Sequence, residues 1–517
     1  MEATGLSLLT VILFLPLVGM TIILFIPGDQ GRNIRYTALG FSLVTFALSL
    51  VMWASFDPNI AGLQMVQRWD WLPTFGISYY VGVDGVSLLL IVLTAFIMPV
   101  AIFASMASHI FEDRGREKWY YLFLMVLEWA MLGAFMIQDL IVFYIFFEIT
   151  LVPMYFLIGI WGAENRVYAA VKFFLYTLAG SVLMLLAILY VGNQAGTFAI
   201  PEIVAAVQAG TLSFPFDGLF SPQSYLFMGF FIAFAIKVPL WPFHSWLPDA
   251  HVQAPTAGSV ILAGVLLKLG TYGMIRVLLP VFPEATVAWA PIIGVLAIIG
   301  IIYGAWVCYA QDDAKKLVAY SSVSHMGFIV LGIFALNGQG VQGSILQMVN
   351  HGVSTGGLFL IVGMLYERRH TKKLADYGGI WKALPIFGAI SLVITLSSMG
   401  LPGLNGFIGE FTILLGTFGS DVLGFFFALF ATLGIILAAV YMLYMFQKVF
   451  MGELDKEENK HLHPMNWMEY AALVPVLVGV FLIGIYPALF FAPMNSTVTE
   501  IVTQVSHFVT TVAQAVP

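Results

Sequence analysis

The chain has 517 residues, 60% of them hydrophobic and only 9% charged, with a formal net charge of −7. Ordinary globular chains carry about 25% charged residues, so this composition excludes a water-soluble enzyme and points to an all-α polytopic membrane protein. The one cysteine, Cys308, excludes an internal disulfide and any multi-thiolate iron–sulfur site.

Apolar runs of about 20 residues, long enough to cross a ~30 Å hydrocarbon core, recur from end to end. Cutting at polar, glycine and proline breaks predicts fourteen spans, near 5–26, 33–53, 85–105, 119–137, 140–160, 168–191, 224–247, 256–279, 288–309, 316–335, 342–366, 384–416, 424–449 and 469–490. The first run, Leu6 to Ile26, lacks a basic flank and a small-residue cleavage site, and reads as a retained span rather than a signal peptide. The expected units are residues 1–118 (spans 1–3), 119–280 (spans 4–8), 281–450 (spans 9–13) and 451–517 (a loop, span 14 and a tail).

Basic residues test this count. The odd-numbered connections hold Arg32 and Arg35; Arg114, Arg116 and Lys118; Arg166 and Lys172; Lys315 and Lys316; Arg368, Arg369, Lys372, Lys373 and Lys382; and Lys448, Lys456 and Lys460. That is seventeen of the twenty-one lysines and arginines, whereas the even-numbered connections hold only Arg68 and Arg276. By the positive-inside rule the odd connections face the cytoplasm, or the matrix, and both termini face the other side. A bacterial inner membrane with periplasmic termini is the expected setting, ahead of a mitochondrial inner membrane.

The two remaining basic residues, Lys237 and Lys268, fall within spans. Lys237 precedes the break "KVPLWP" in the seventh span, and Glu410 follows the break "SSMGLPGLNGFIGE" in the twelfth. The two broken spans are five apart, so matching five-span units would cross in opposite senses. Spans 4–8 and 9–13 thus read as inverted repeats, in which paired interrupted helices mark an ion site near the midplane. Proline kinks alone are common in membrane helices and need no function; a buried charge beside the break in each half is what carries the reading.

Six ionisable residues stand deep within predicted spans: Glu148, Lys237, Lys268, His325, His351 and Glu410. Glu128 is a weaker seventh. A charge at the centre of a membrane helix costs about 2.5–3.5 kcal/mol on insertion scales, and Lys268 is too far from either end of its span to snorkel. A static ion pair, such as Glu148 with one lysine, accounts for two of these groups; either histidine could be a hydrogen-bonded packing residue. The row as a whole reads as a proton relay, in which Lys237 holds a proton while Glu148 is near and releases it when Glu148 withdraws. Pro239 and Pro242 are expected to free backbone carbonyls and make room for water beside Lys237.

His244, Asp249 and His251 form either a proton entrance or a polar turn capping two helices. His461 and His463 sit in a charged loop and read as solvated, with no metal. "GLPGLNGFIG" follows no strand and reads as a packing and hinge feature, not a dinucleotide loop. No phosphate loop, haem attachment signature or iron–sulfur spacing occurs.

"KVPLWPFHSWLPDAHVQAPTAGSVILAGVLLKLGTYGMIR", with "FFEITLVPM" and "GLPGLNGFIGEF", closely resembles the antiporter-like membrane subunits of respiratory complex I, and also subunits of multi-subunit cation/proton antiporters. The resemblance implies a proton-translocating subunit of a translocase that oxidises NADH and reduces quinone. Glu148 and Lys237 would be its glutamate–lysine pair, Lys268 its central lysine, Glu410 its distal acid toward the exit, and His325 and His351 the link between halves. Two of the family's three types carry a lysine in the broken twelfth helix and the third a glutamate; Glu410 fits the third. So does an end soon after the fourteenth span, which leaves no room for the long lateral helix of one lysine type. The resemblance further implies that NADH, FMN, iron–sulfur clusters and ubiquinone bind other subunits, that this chain holds no cofactor, and that its partners are the other membrane-arm subunits, the L and N types especially. The alternative is a Na⁺/H⁺ antiporter subunit; a related third is the membrane arm of a hydrogenase or of a plastoquinone-reducing complex.

Overall fold

In the computed structural model, residues 7–108, 110–111 and 116–515 are described; Arg114, counted above, lies outside them. Ser7 caps the first helix, α1 (Leu8–Phe25), which is followed by α2 (Gly31–Ala54). The strands β1 (Gln64–Leu72) and β2 (Ile77–Val83) then form an antiparallel hairpin turned at Gly76, whose φ of 68° suits glycine. The chain continues through α3 (Gly85–Met106), α4 (Glu117–Met136), α5 (Leu140–Trp161), α6 (Arg166–Ala195) and the short α7 (Ile200–Gln208). Next come α8 (Pro222–Lys237) and α9 (Trp246–Gln253), the halves of the seventh predicted span. Then follow α10 (Thr256–Val281), α11 (Pro283–Tyr309), α12 (Ala314–Ile333) and α13 (Gly338–Arg369). The twelfth predicted span is likewise two helices, α14 (Pro385–Ser398) and α15 (Asn405–Phe418). The last are α16 (Phe425–Phe450), α17 (Trp467–Ile485) and α18 (Ala488–Ala515).

Twelve of the described helices are long and apolar enough to cross a membrane. The expected fourteen is reached only by counting each broken pair as one crossing. Helices α3, α10, α12 and α13 are buried nearly throughout, while α1, α2, α6, α16 and α17 present apolar residues such as Leu186, Phe426 and Ile436 outward. A helix that is apolar all round and carries its few ionisable residues toward the bundle interior is what a hydrocarbon surround selects.

Polar contacts between connections follow the odd–even alternation. Arg35 pairs with Glu117, Lys118 donates to the carbonyls of Leu24 and Ile26, and Arg368 pairs with Glu469 at 2.6 Å. On the even side Arg68 pairs with Glu202 and Arg276 with Asp84. The two even-side cations that depart from the basic-odd pattern are therefore each matched by an acid. Outside the spans, Arg68 holds the Glu202 carboxyl below its usual range.

Three features depart from the expected spans. The hairpin was not anticipated. Helix α10 contains π-helical turns at Leu262–Leu266 and Met274–Leu278, one on each side of Lys268; such turns recur at functional sites. The segment read as a tail is the 28-residue α18, tied to the even side by Ser496 Oγ donating to the Pro58 carbonyl (2.7 Å) and by Thr497 Oγ1 accepting from the Gly85 amide (3.1 Å). A Cβ on Gly85 would stand 2.2 Å from the Pro493 carbonyl oxygen, so glycine permits that approach.

Candidate functional site

The first break begins at Lys237, the last residue of α8, where the helix's negative end favours a cation. Lys237 is buried; its Nζ donates to Thr150 Oγ1 at 3.0 Å and lies 4.5 Å from the centre of the Phe147 ring. Glu148 is half-buried, on the same helix as Thr150. No ion pair within 4.0 Å joins Glu148 to Lys237 among the described residues, and Glu148 Oε1 is buried without a partner. The pair is thus open, with the ammonium resting on a hydroxyl.

The expected free carbonyls at this break are largely taken up by the protein. Trp246 Nε1 donates to the Ile236 carbonyl (2.8 Å), and the Leu240 and Val238 amides donate to Ala235 (2.7 Å) and Phe234 (2.9 Å). An unpaired carbonyl in a dry interior is costly, and the indole of the next half-helix is near enough to supply a donor.

Lys268 is fully buried between the two π-helical turns. Its Nζ lies 2.7 Å from His351 Nδ1 on α13 and also contacts the Ala263 carbonyl. The His351 and His325 rings are 5.9 Å apart between centres. His325 Nδ1 is 2.8 Å from Glu410 Oε1, and Tyr441 OH is 3.4 Å from His325 Nε2. Gln347 Nε2 donates to the same Glu410 oxygen at 3.1 Å, and Glu410 Oε2 has no partner among the described residues. Four of the six expected residues therefore form one row across α10, α13, α12 and α15. Lys237 and Glu148 form a separate group, and no side-chain hydrogen bond among the described residues links Lys237 to Lys268.

The second break is held by neutral polar groups that sequence reasoning passed over. Asn350 Nδ2 donates to the Asn405 carbonyl (2.8 Å) and to Gln347 Oε1 (3.1 Å); Ser354 Oγ contacts Ser397 Oγ (2.7 Å) and Asn405 Oδ1 (3.1 Å). Gly400 and Gly403 turn the chain at φ of 79° and 91°. Gln347, Asn350, His351 and Ser354 recur at helical spacing on one face of α13, a signal legible in the sequence.

The three residues at the end of the first break do not act as one group. Asp249 pairs with Lys172 at 2.6 Å. His244 packs against Tyr303, and His251 stacks on Phe359 with both ring nitrogens unpartnered among the described residues. Glu128 takes a hydrogen bond from Ser42 Oγ at 3.2 Å, away from the row. His461 is exposed beside Glu457. Among the described residues no cluster of three or more His, Cys, Asp or Glu side chains could hold a metal.

Two family models match: "NADH-ubiquinone oxidoreductase chain 4, amino terminus" over residues 9–134, and "NADH:quinone oxidoreductase/Mrp antiporter, TM" over residues 138–438. NADH-quinone oxidoreductase subunit M of Rhodobacter capsulatus is 44% identical, covering 98% of this chain and 99% of its own length. NADH-ubiquinone oxidoreductase chain 4 of Arabidopsis thaliana is 43% identical, covering 94% and 95%. A chain of respiratory complex I from Thermus thermophilus, solved with bound NADH, superposes with a TM-score of 0.85 at 29% identity, covering 96% of this chain and all of that one. A chain of the Mrp complex from Dietzia shares the fold alone, with a TM-score of 0.83 at 18% identity over 98% and 100%.

Proposed function

We propose, since this chain belongs to the family of NADH-quinone oxidoreductase subunit M and NADH-ubiquinone oxidoreductase chain 4, that it moves protons through Glu148, Lys237, Lys268, His351, His325 and Glu410. It is an antiporter-like subunit of the membrane arm of respiratory complex I, the proton-translocating NADH:quinone oxidoreductase. The observation that carries the relay is the buried contact of Lys268 with His351, continued by that of His325 with Glu410.

Lys237 rests on Thr150, and Glu148 makes no ion pair with it and keeps its Oε1 unpartnered among the described residues. Approach of Glu148 would stabilise the ammonium; its withdrawal would let the proton pass toward Lys268 through intervening water. Lys268 hands it to the neutral imidazole of His351, His325 receives it, and Glu410 is the terminal acceptor. Moving one charge across 100 mV costs about 2.3 kcal/mol, which is within reach of shifting a carboxylate by a few ångströms around a buried ammonium. Spans 4–8 and 9–13 act as the two inverted halves. NADH, FMN, iron–sulfur clusters and quinone are assigned to other subunits, and the L and N types are the membrane-arm neighbours. The odd connections face the cytoplasm of a bacterial cell, a side supported by their seventeen basic residues. The antiporter alternative has a shared fold and the joint family model in its favour, but the relatives similar along nearly the whole chain are named for subunit M and chain 4.

The test is NADH oxidation with proton uptake in inverted vesicles carrying the assembled complex. Lys268→Ala is expected to lose proton uptake and most coupled NADH oxidation, with normal assembly on a native gel. Wild-type pumping by that variant would remove Lys268 from the path.

A further inference from the structure

On the even-numbered side a cavity of about 300 Å³ opens between the segment that leads into the hairpin (Ala61–Leu63), α7, the end of α10 and α18. Its inner wall carries Asp84, Gln138 and Arg276, and Gln138 Oε1 is buried there without a partner among the described residues. Arg276 stands in the second π-helical turn of α10, eight residues beyond Lys268, or about 12 Å at 1.5 Å per residue. Between the two lie the hydroxyls of Thr271 and Tyr272, both fully buried. A cavity large enough for several waters, apolar over most of its lining but ending on these polar groups, thus comes within little more than two helical turns of the central lysine, on the side to which protons would be delivered.

We propose that the Arg276–Asp84 pair is an insulating plug that keeps protons in this cavity from running back to Lys268. The geometry blocks a proton wire chemically. Asp84 caps α3: its Oδ1 accepts from the Val86 amide (3.1 Å), the Ser87 amide (3.0 Å) and Ser87 Oγ (3.1 Å). Its Oδ2 accepts from an Arg276 terminal nitrogen at 2.5 Å. Both oxygens are committed. Arg276 Nε donates to Tyr272 OH at 3.3 Å, and Tyr272 OH donates onward to the Phe135 carbonyl at 3.1 Å. The guanidinium has donors only and does not give up its proton at accessible pH, so a hopping proton finds no acceptor there. Its fixed charge repels an approaching hydronium, as arginine does in pores that exclude protons. This also accounts for a cation in a span that is otherwise poor in basic residues at its even end.

The proposal rests on the relay reading of Lys268, and the experiment separates the two. The complex is reconstituted in liposomes with potassium and valinomycin holding the potential at zero. Proton equilibration after an external pH step is then followed without NADH. Arg276→Gln combined with Asp84→Asn removes both charges and leaves no unpaired ion; Arg276→His keeps a donor to Asp84 yet can release its proton. Each is expected to speed equilibration at least fivefold, and adding Lys268→Ala is expected to return the rate to that of wild type. Wild-type rates in whichever leak variants assemble overturn the plug, as does a leak indifferent to Lys268→Ala. Failure of the relay reading shows separately, as undiminished NADH-driven pumping by Lys268→Ala alone.

Discussion

Lys268 Nζ and His351 Nδ1 meet at 2.7 Å across the boundary between α10 and α13, and His351 Nε2, on the far side of the ring, has no partner among the described residues. One nitrogen faces the lysine, while the ring lies 5.9 Å from that of His325. An imidazole so placed can accept a proton on one side and pass one from the other. His351→Gln retains a side chain able to accept from Lys268 but cannot carry a proton. We expect coupled NADH oxidation to fall about tenfold, or ~1.4 kcal/mol in barrier, with assembly intact. A variant that pumps normally would make the contact one of packing alone.

The open Glu148–Lys237 pair gives a second expectation. Glu148→Gln nearly preserves shape but cannot carry the charge that stabilises the Lys237 ammonium, so coupled turnover should nearly vanish. Glu148→Asp should keep a substantial part, since water can span the missing methylene. Thr150→Val removes the hydroxyl on which Lys237 rests. It should slow turnover several-fold without abolishing it, because the ammonium loses its resting partner while Glu148 remains. Equal loss in Glu148→Gln and Glu148→Asp, with both assembled, would show that position rather than charge matters there.

Much of this site was legible because hydrocarbon makes every buried charge conspicuous. Lys268, His325, His351 and Glu410 could be picked out one by one, and the structure brings those four into contact. The breaks at "KVPLWP" and "SSMGLPGLNG" were legible from proline and glycine. Thr150, Asn405 and Tyr441 were not, because neutral polar residues occur in most spans and only the fold selects those that touch the row. The π-helical turns of α10 leave no trace in composition, since each adds one residue to a turn without any residue pattern that marks it, apolar throughout in the first and carrying Arg276 in the second. The hairpin and α18 fell outside a reading built to find spans. The first has a strand's alternation, and the second mixes Thr, Ser and Asn into its apolar residues, as a helix lying on a protein surface does.

Glu410 provides the third expectation. Its Oε1 is shared by His325 and Gln347, while its Oε2 is unpartnered. Glu410→Gln can still accept from Gln347 but cannot take up a proton. Coupled turnover should fall by more than half, and proton uptake per NADH should fall with it. Glu410→Asp should retain more activity than Glu410→Gln. If both ratios match wild type, protons leave the row before reaching α15.

The last expectation concerns the packing that holds α15 against α13. Gly416 lies on α15 where a Cβ would stand 2.2 Å from the Gly340 nitrogen and 2.5 Å from its Cα. Asn337 Nδ2 donates to the Gly416 carbonyl at 2.7 Å, fixing the two helix ends together. In a bilayer such close approach replaces the hydrophobic drive between helices, so small residues carry the contact. A side chain here forces backbone apart from backbone, and overpacking of this kind costs about 1–3 kcal/mol or more. Gly416→Leu should therefore shift α15, displace Glu410 from His325 two turns away, and reduce the assembled complex on a native gel by more than half. Gly419→Ala, three residues on, meets only the Leu415 carbonyl at an ordinary 3.5 Å and should assemble and pump as wild type. Normal assembly and pumping by Gly416→Leu would mean that the α13–α15 contact yields without cost, and that Glu410 is positioned by its hydrogen bonds rather than by the helix that carries it.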